Sequence, residues 1–99
     1  MELARMKKVE VVIDNTHLRL VLEILESSGV SGYTIIRDVI GKGDRGTVLA
    51  DEPSESFKNS YIFTICDEER AKSITSRIAP VIRRFGGACF LSDVEWLMH

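Results

Sequence analysis

The sequence predicts an α+β sandwich, with one four-stranded sheet covered on a single face by two helices. Two observations carry that prediction. Strand-like alternation and helix-like apolar stripes follow one another in the order strand, helix, strand, loop, strand, helix, strand. The two halves are joined by an irregular stretch, Gly41–Phe57, which reads GKGDRGTVLADEPSESF and has no apolar period. Length sets the scale: 99 residues make one domain, 1–99, and a chain of that size buries about two thirds of its unfolded surface.

The elements follow in order. Met1–Met6 reads as a frayed end. In Lys8–Ile13, Val9, Val11 and Ile13 share one face while Glu10 and Val12 share the other, a strand period built from β-branched residues. Asn15 or Thr16 then offers an N-cap oxygen. Leu18, Val21, Leu22 and Leu25 recur at helical spacing, with Leu20 and Ile24 widening the stripe. Gly29 supplies the left-handed residue that ends this helix. Tyr33–Ile40 is β-branched and aromatic enough for a second strand.

After the loop, Ser60–Cys66 alternates again. Asp67 caps a second helix, with Glu68 and Glu69 in its positive first turn. Its apolar stripe is Ala71, Ile74, Ile78, Ile82 and Phe85. Pro80 is expected to kink that helix near Ser76 or split it. Gly86-Gly87 makes a sharp break, and Ala88–Met98 holds the last strand, with a bulge or bend expected near Asp93. Two βαβ halves joined in this way form the split βαβ, or ferredoxin-like, βαββαβ sandwich. One sheet face then has no helix to cover it. Val12, Ile62 and Tyr33 are of the opposite parity to the helix-facing set, so an apolar uncovered face is expected to associate with other subunits.

Composition excludes several classes. Apolar content of 44%, charged content of 28% and net charge −2 describe a water-soluble domain with no strong pull toward nucleic acid or anionic membrane. No apolar run reaches the length of a membrane span, and no secretory signal opens the chain. Two unpatterned cysteines, Cys66 and Cys89, then fit a reduced cytoplasmic setting. A Cys66–Cys89 bridge is not expected, because in this topology a third strand separates theirs. His17 and His99, the only histidines, have no ligand spacing with those cysteines. No nucleophile–base pair can be assembled, so the chain is expected not to be an enzyme. Trp96 is explained by core or subunit contact.

Two glycine clusters remain. Gly41, Gly43 and Gly46 spell G-x-G-x-x-G, yet Thr47–Ala50 leads to Asp51-Glu52-Pro53 instead of the helix a dinucleotide fold requires. The cluster is therefore either a backbone nest for an anion, with Lys42 and Arg45 adding charge, or a flexible connector. Gly86-Gly87 follows Arg83 and Arg84, which alone describes a basic helix C-terminus and a tight turn. Taken together, the two clusters make a split phosphate site plausible.

In order and spacing, Gly29-Val30-Ser31-Gly32-Tyr33-Thr34-Ile35-Ile36, then Gly41-Lys42-Gly43-Asp44-Arg45-Gly46, and later Gly86-Gly87-Ala88-Cys89-Phe90 with Asp93-Val94, resemble the PII-like signal-transduction proteins across Lys7–Met98. The resemblance implies a homotrimer with sheets facing inward and nucleotide clefts between subunits. It places Thr34 near the adenine and Gly41, Lys42, Gly43 and Arg45 near phosphate, at the base of a mobile T-loop spanning 41–57. It places Gly86, Gly87, Ala88 and Cys89 in a B-loop on the adjacent wall. Ligand would order or free the T-loop, which docks to or releases a transporter or enzyme.

Nitrogen-sensing members of that family carry a T-loop tyrosine, a glutamine after the G-x-G-R and a C-terminal arginine pair. Here no tyrosine lies between Lys42 and Phe57, that glutamine is missing and no arginine follows Arg84. The chain is more similar to PII-like regulators of bicarbonate uptake and to carboxysome-associated PII proteins. That similarity implies binding of AMP, ADP, ATP or cyclic AMP, with bicarbonate, and no metal cofactor. Rival expectations are a trimeric metal-binding or metal-tolerance protein of related fold, and an ACT-like small-molecule module that would be a dimer.

Overall fold

Alternation in the first strand decides which side of the sheet holds the core. Val9, Val11 and Ile13 are each no more than 1% exposed and lie against Val21 and Leu25 of one helix and Ala71, Ile74 and Ile78 of the other. A computed structural model describes residues 2–43, 46–47 and 58–98. Its elements are β1 (Leu3–Asp14), a 3-10 turn (Asn15–His17), α1 (Leu18–Ser27), β2 (Thr34–Val39), β3 (Lys42–Gly43), β4 (Gly46–Thr47), β5 (Asn59–Cys66), α2 (Glu68–Phe85) and β6 (Ala88–Leu97). The main sheet is antiparallel in the order β2-β5-β1-β6, with both helices on one face, which is the expected ferredoxin-like α+β arrangement.

Register assigns every side chain to a face. Val11 pairs with Ile62, and Val12 pairs with Tyr61 on one side and Ala88 on the other. Val12 therefore lies on the uncovered face, as expected. Ile62 does not: it is fully buried on the helix side, and Tyr61, Phe63 and Ile65 take the open face instead. Tyr33 also departs from expectation, since it precedes β2, packs against the core and donates its hydroxyl to Glu26 at 2.8 Å. Thr34 and Ile36, paired with Phe63 and Tyr61, extend the open face across β2. Parity within a strand is visible in sequence, but the side it faces is set by its partners.

Several boundaries shift for identifiable reasons. Leu3–Met6 are not frayed, because β1 begins at Leu3 and pairs with β6 as far as Leu97. That ladder runs without a register break, so no bulge occurs at Asp93, which instead forms an ion pair with Lys7. The sheet's irregularity falls in β2, where register shifts between Ile36 and Val39 and Asp38 adopts a left-handed φ of 63°.

The helix caps also separate into an expected and an unexpected case. Asp67 caps α2 by accepting from the Arg70 backbone N–H at 2.8 Å. At the first helix neither Asn15 nor Thr16 is the cap. A 3-10 turn intervenes, and Asp14 accepts from the His17 N–H at 3.1 Å. Pro80 lies inside one continuous helix and does not split it. Pro80 and Ser76 lie on the exposed side, while Ile74 and Ile78 anchor the turns in the core. The carbonyl that loses its partner can therefore be hydrated.

Gly29 ends α1 at φ 76°, as expected. Cys66 and Cys89 are both free, pairing with Lys7 and Val11 on opposite sides of β1. Burial raises both thiols above their ordinary value, with Asp67 adding to the effect at Cys66. Among the described residues no helix is long and apolar enough to cross a membrane.

Candidate functional site at one end of the sheet

The end of β1, the start of β6, the end of β2 and the start of β5 lie together at one end of the sheet. Both glycine clusters are there, on opposite edges. Gly41 follows edge strand β2, and Gly86-Gly87 leads into edge strand β6, with β5 and β1 between. Three inter-strand spacings of about 4.8 Å put them roughly 14 Å apart across one chain. The two clusters therefore do not converge on a shared ligand within a single subunit.

The Gly41 side is not wholly irregular, as the sequence suggested. Lys42–Gly43 and Gly46–Thr47 pair as a short antiparallel ribbon, Lys42 opposite Thr47 and Gly43 opposite Gly46. Of the mobile T-loop expected over 41–57, Asp44, Arg45 and residues 48–57 lie outside the described residues. At Gly41 itself, an added Cβ would meet no atom of the described residues within 4 Å.

The opposite edge is crowded. A Cβ at Gly87 would sit 2.2 Å from the Val12 carbonyl oxygen, and its φ of 103° is one that side chains rarely adopt. Gly86, at φ 86°, closes α2 through its N–H to the Ile82 carbonyl at 2.8 Å. Ala88 pairs with Val12 on the open-face side. Cys89 is partly buried, with its side chain packed against the core. Thr34 is exposed at the start of β2, in a cross-sheet row with Phe63, Glu10 and Phe90, and so lies along the strand from Gly41 and not beside it.

Two groups at this end were not placed at the site from sequence. The His17 ring stacks on Phe85 with centroids 3.7 Å apart, and its Nδ1 lies 2.7 Å from the Asp14 carboxylate. The Arg84 guanidinium lies 5.1 Å from the centroid of the Phe85 ring. Asn15 is the second group. It links the end of β1 to Asp38, Lys58 and Ser60, at 2.8, 2.9 and 2.6 Å respectively. The polar run Asp14-Asn15-Thr16 after an apolar strand was the available signal, and its competing explanation was simple helix capping.

The open sheet face carries its own polar network. Tyr61 donates to Glu10 at 2.7 Å, Lys8 approaches Glu10 at 3.9 Å, and the Lys8 ammonium lies 4.9 Å from the Phe63 centroid. Burial, then the bond to Glu10, pushes the Tyr61 phenol up to about 12. Among the described residues, no group of three or more His, Cys, Asp or Glu side chains could hold a metal ion.

The described residues thus form a βαββαβ sandwich with one face that no helix covers and glycine turns on opposite edges of one end. Residues 6–98 match the family model "Nitrogen regulatory protein P-II", and the chain belongs to that family. Among solved structures it is similar to CPII, a nitrogen regulatory PII-like protein from Thiomonas intermedia K12, bound to ADP, AMP and bicarbonate. The two share 25% identity with a TM-score of 0.87, covering 95% of this chain and 90% of that one. A putative PII-like signaling protein from Thermus thermophilus has the same fold at 24% identity, TM-score 0.82, covering 98% of this chain and 94% of that one. No curated protein sequence matches the chain.

Proposed function

We propose that this chain is a non-enzymatic PII-like regulator. It assembles as a homotrimer with sheets facing inward and binds an adenine nucleotide, with bicarbonate as a second ligand, in clefts between neighbouring subunits. The observation that carries this reading is the separation of the glycine clusters, which lie at the same end of the sheet but on opposite edges. A neighbouring copy supplies the missing wall. One subunit contributes Thr34, Gly41, Lys42, Gly43 and Arg45, and the next contributes Gly86, Gly87, Ala88 and Cys89. Support comes from Gly41, where neither crowding by the described residues nor a positive φ calls for glycine. The ligands of the CPII relative, ADP, AMP and bicarbonate, point to the same chemistry.

In this reading Lys42 and Arg45 neutralise phosphate, and the glycine backbone closes around it. Residues 41–57 act as the T-loop, whose posture ligand binding selects. The loop in turn docks to a membrane transporter or carbon-assimilation partner in the cytoplasm.

A calorimetric panel of AMP, ADP, ATP and cyclic AMP, each with and without bicarbonate, tests the reading. Binding of at least one nucleotide is expected, and silence across the panel would sink it. Within that panel Arg45→Ala is expected to weaken binding by roughly 10- to 100-fold, the size of one lost charge-assisted hydrogen bond. Unchanged affinity would remove Arg45 from the site.

A further inference from the structure

We propose that Asn15 is a positioning residue for the base of the long connection, holding both of its feet against the end of β1 and so setting the posture of the Gly41 turn. The functional half of this inference rests on the nucleotide site proposed above. The chain leaves the sheet after Val39 and returns at Asn59, so Asp38 and Lys58 flank its exit and re-entry. Asn15 reaches both points. Its side-chain Nδ2 donates to Asp38 Oδ1 at 2.8 Å, and its backbone N–H donates to the Lys58 carbonyl at 2.9 Å.

The amide has one workable orientation. Ser60, fully buried at the start of β5, donates its hydroxyl to Asn15 Oδ1 at 2.6 Å. A hydroxyl can serve either end of an amide, but the Asp38 carboxylate can only accept. The amino group must therefore face Asp38, and the oxygen faces Ser60. The tie also falls where the backbone is least ordinary. Asp38 holds a left-handed φ of 63° inside the register shift that turns β2 out of the sheet. A bulge of this kind re-aims the chain that follows it, and three residues on is Gly41. The same 3-10 turn carries His17, stacked on Phe85 beside Gly86-Gly87. Asn15 is thus the described side chain that bridges the β1 terminus to the Gly41 edge.

The test uses isosteric exchanges. Asn15→Asp keeps the acceptor for Ser60 but sets a carboxylate against Asp38. Asp38→Asn alone retains an acceptor and tolerates the left-handed backbone. Combining the two restores a donor opposite a carboxylate. Two readouts are followed beside melting temperature: ADP affinity by calorimetry, and the rate of tryptic cleavage after Lys42 and Arg45 in the ligand-free protein.

Asn15→Asp is expected to weaken ADP binding and to speed cleavage by about fivefold each, the scale of one net hydrogen bond. Asp38→Asn should match the wild type, and the double variant should return to within about twofold of it. Should Asn15→Asp fail to fold, Asp38→Gly removes the same bond from an exposed position, keeps the left-handed backbone and should show the same two changes. Unchanged cleavage overturns the proposal, as do changes that the second substitution does not reverse. Faster cleavage with unaltered ADP affinity overturns the positioning of the ligand turn. If the wild type binds no nucleotide, the site reading fails on its own, and the cleavage series still decides the tie.

Discussion

An added Cβ at Gly87 would lie 2.2 Å from the Val12 carbonyl oxygen, whereas one at Gly41 would meet nothing among the described residues within 4 Å. Those two distances separate a glycine the fold needs from one it does not. Gly87→Ala must both adopt a left-handed backbone and push β1 aside, so a loss of about 2 kcal/mol or more is expected in chemical denaturation. Gly41→Ala should leave stability within about 0.5 kcal/mol of the wild type. Any loss of nucleotide affinity it causes would then belong to the site. Equal destabilisation by the two substitutions would show that the Gly41 turn is packed in solution. In sequence the two glycines could not be ranked, because the atom that crowds Gly87 belongs to a strand far away in the chain.

At the level of elements, α2 shows how much a local pattern can specify. Ala71, Ile74 and Ile78 are fully buried as their spacing implied, and Asp67 caps the helix. The backbone N–H of Arg70 holds the Asp67 carboxyl below its ordinary value of 3.8, with the Arg70 side chain adding to the effect. A depressed folded value means that the cap's contribution is present above the ordinary carboxylate range. It is lost as pH falls through the folded value. Asp67→Ala is therefore expected to melt below the wild type at neutral pH, with the gap closing as the solution is acidified past 3.8. A gap that persists undiminished well below that acidity would show that the carboxylate is not the cap. The first helix was less legible. Asp14, Asn15 and Thr16 are all competent caps, and the choice among them depended on Asn15 being engaged by Asp38 and Ser60 on other strands.

For the whole molecule, the decisive surface is the sheet face that no helix covers. Ile36 and Phe90 are 51% and 56% exposed there, beside Val12, Tyr61 and Phe63. In the proposed trimer this face is interior. Phe90→Arg, placed opposite Glu10 in the ladder, replaces an exposed apolar side chain of this face by a charged one. Sedimentation is expected to give a mass of three chains for the wild type and a smaller assembly for the variant. A wild-type mass of one chain would remove the inter-subunit cleft. The same surface explains why sequence alone misassigned Ile62. Alternation separates Ile62 from Tyr61 but cannot say which of them turns toward the helices.

Whatever depends on neighbours in the chain is legible in the amino-acid order. That covers the strand and helix periods, the α2 cap, the Gly29 stop, the element order that defines the sandwich, and the glycine turns that resemble those of PII-like proteins. Those features are local because a period, a cap or a turn is satisfied within a few residues. Pairing across the sheet decided the rest. The ladder from Leu3↔Leu97 to Val12↔Ala88 drew the N-terminus into β1 and left no bulge at Asp93. The register of β5 buried Ile62, and the order β2-β5-β1-β6 set the two glycine clusters on opposite edges. Residues remote in the chain meet only when the sheet closes, and that is why a ligand site built from both clusters calls for a second copy of the chain.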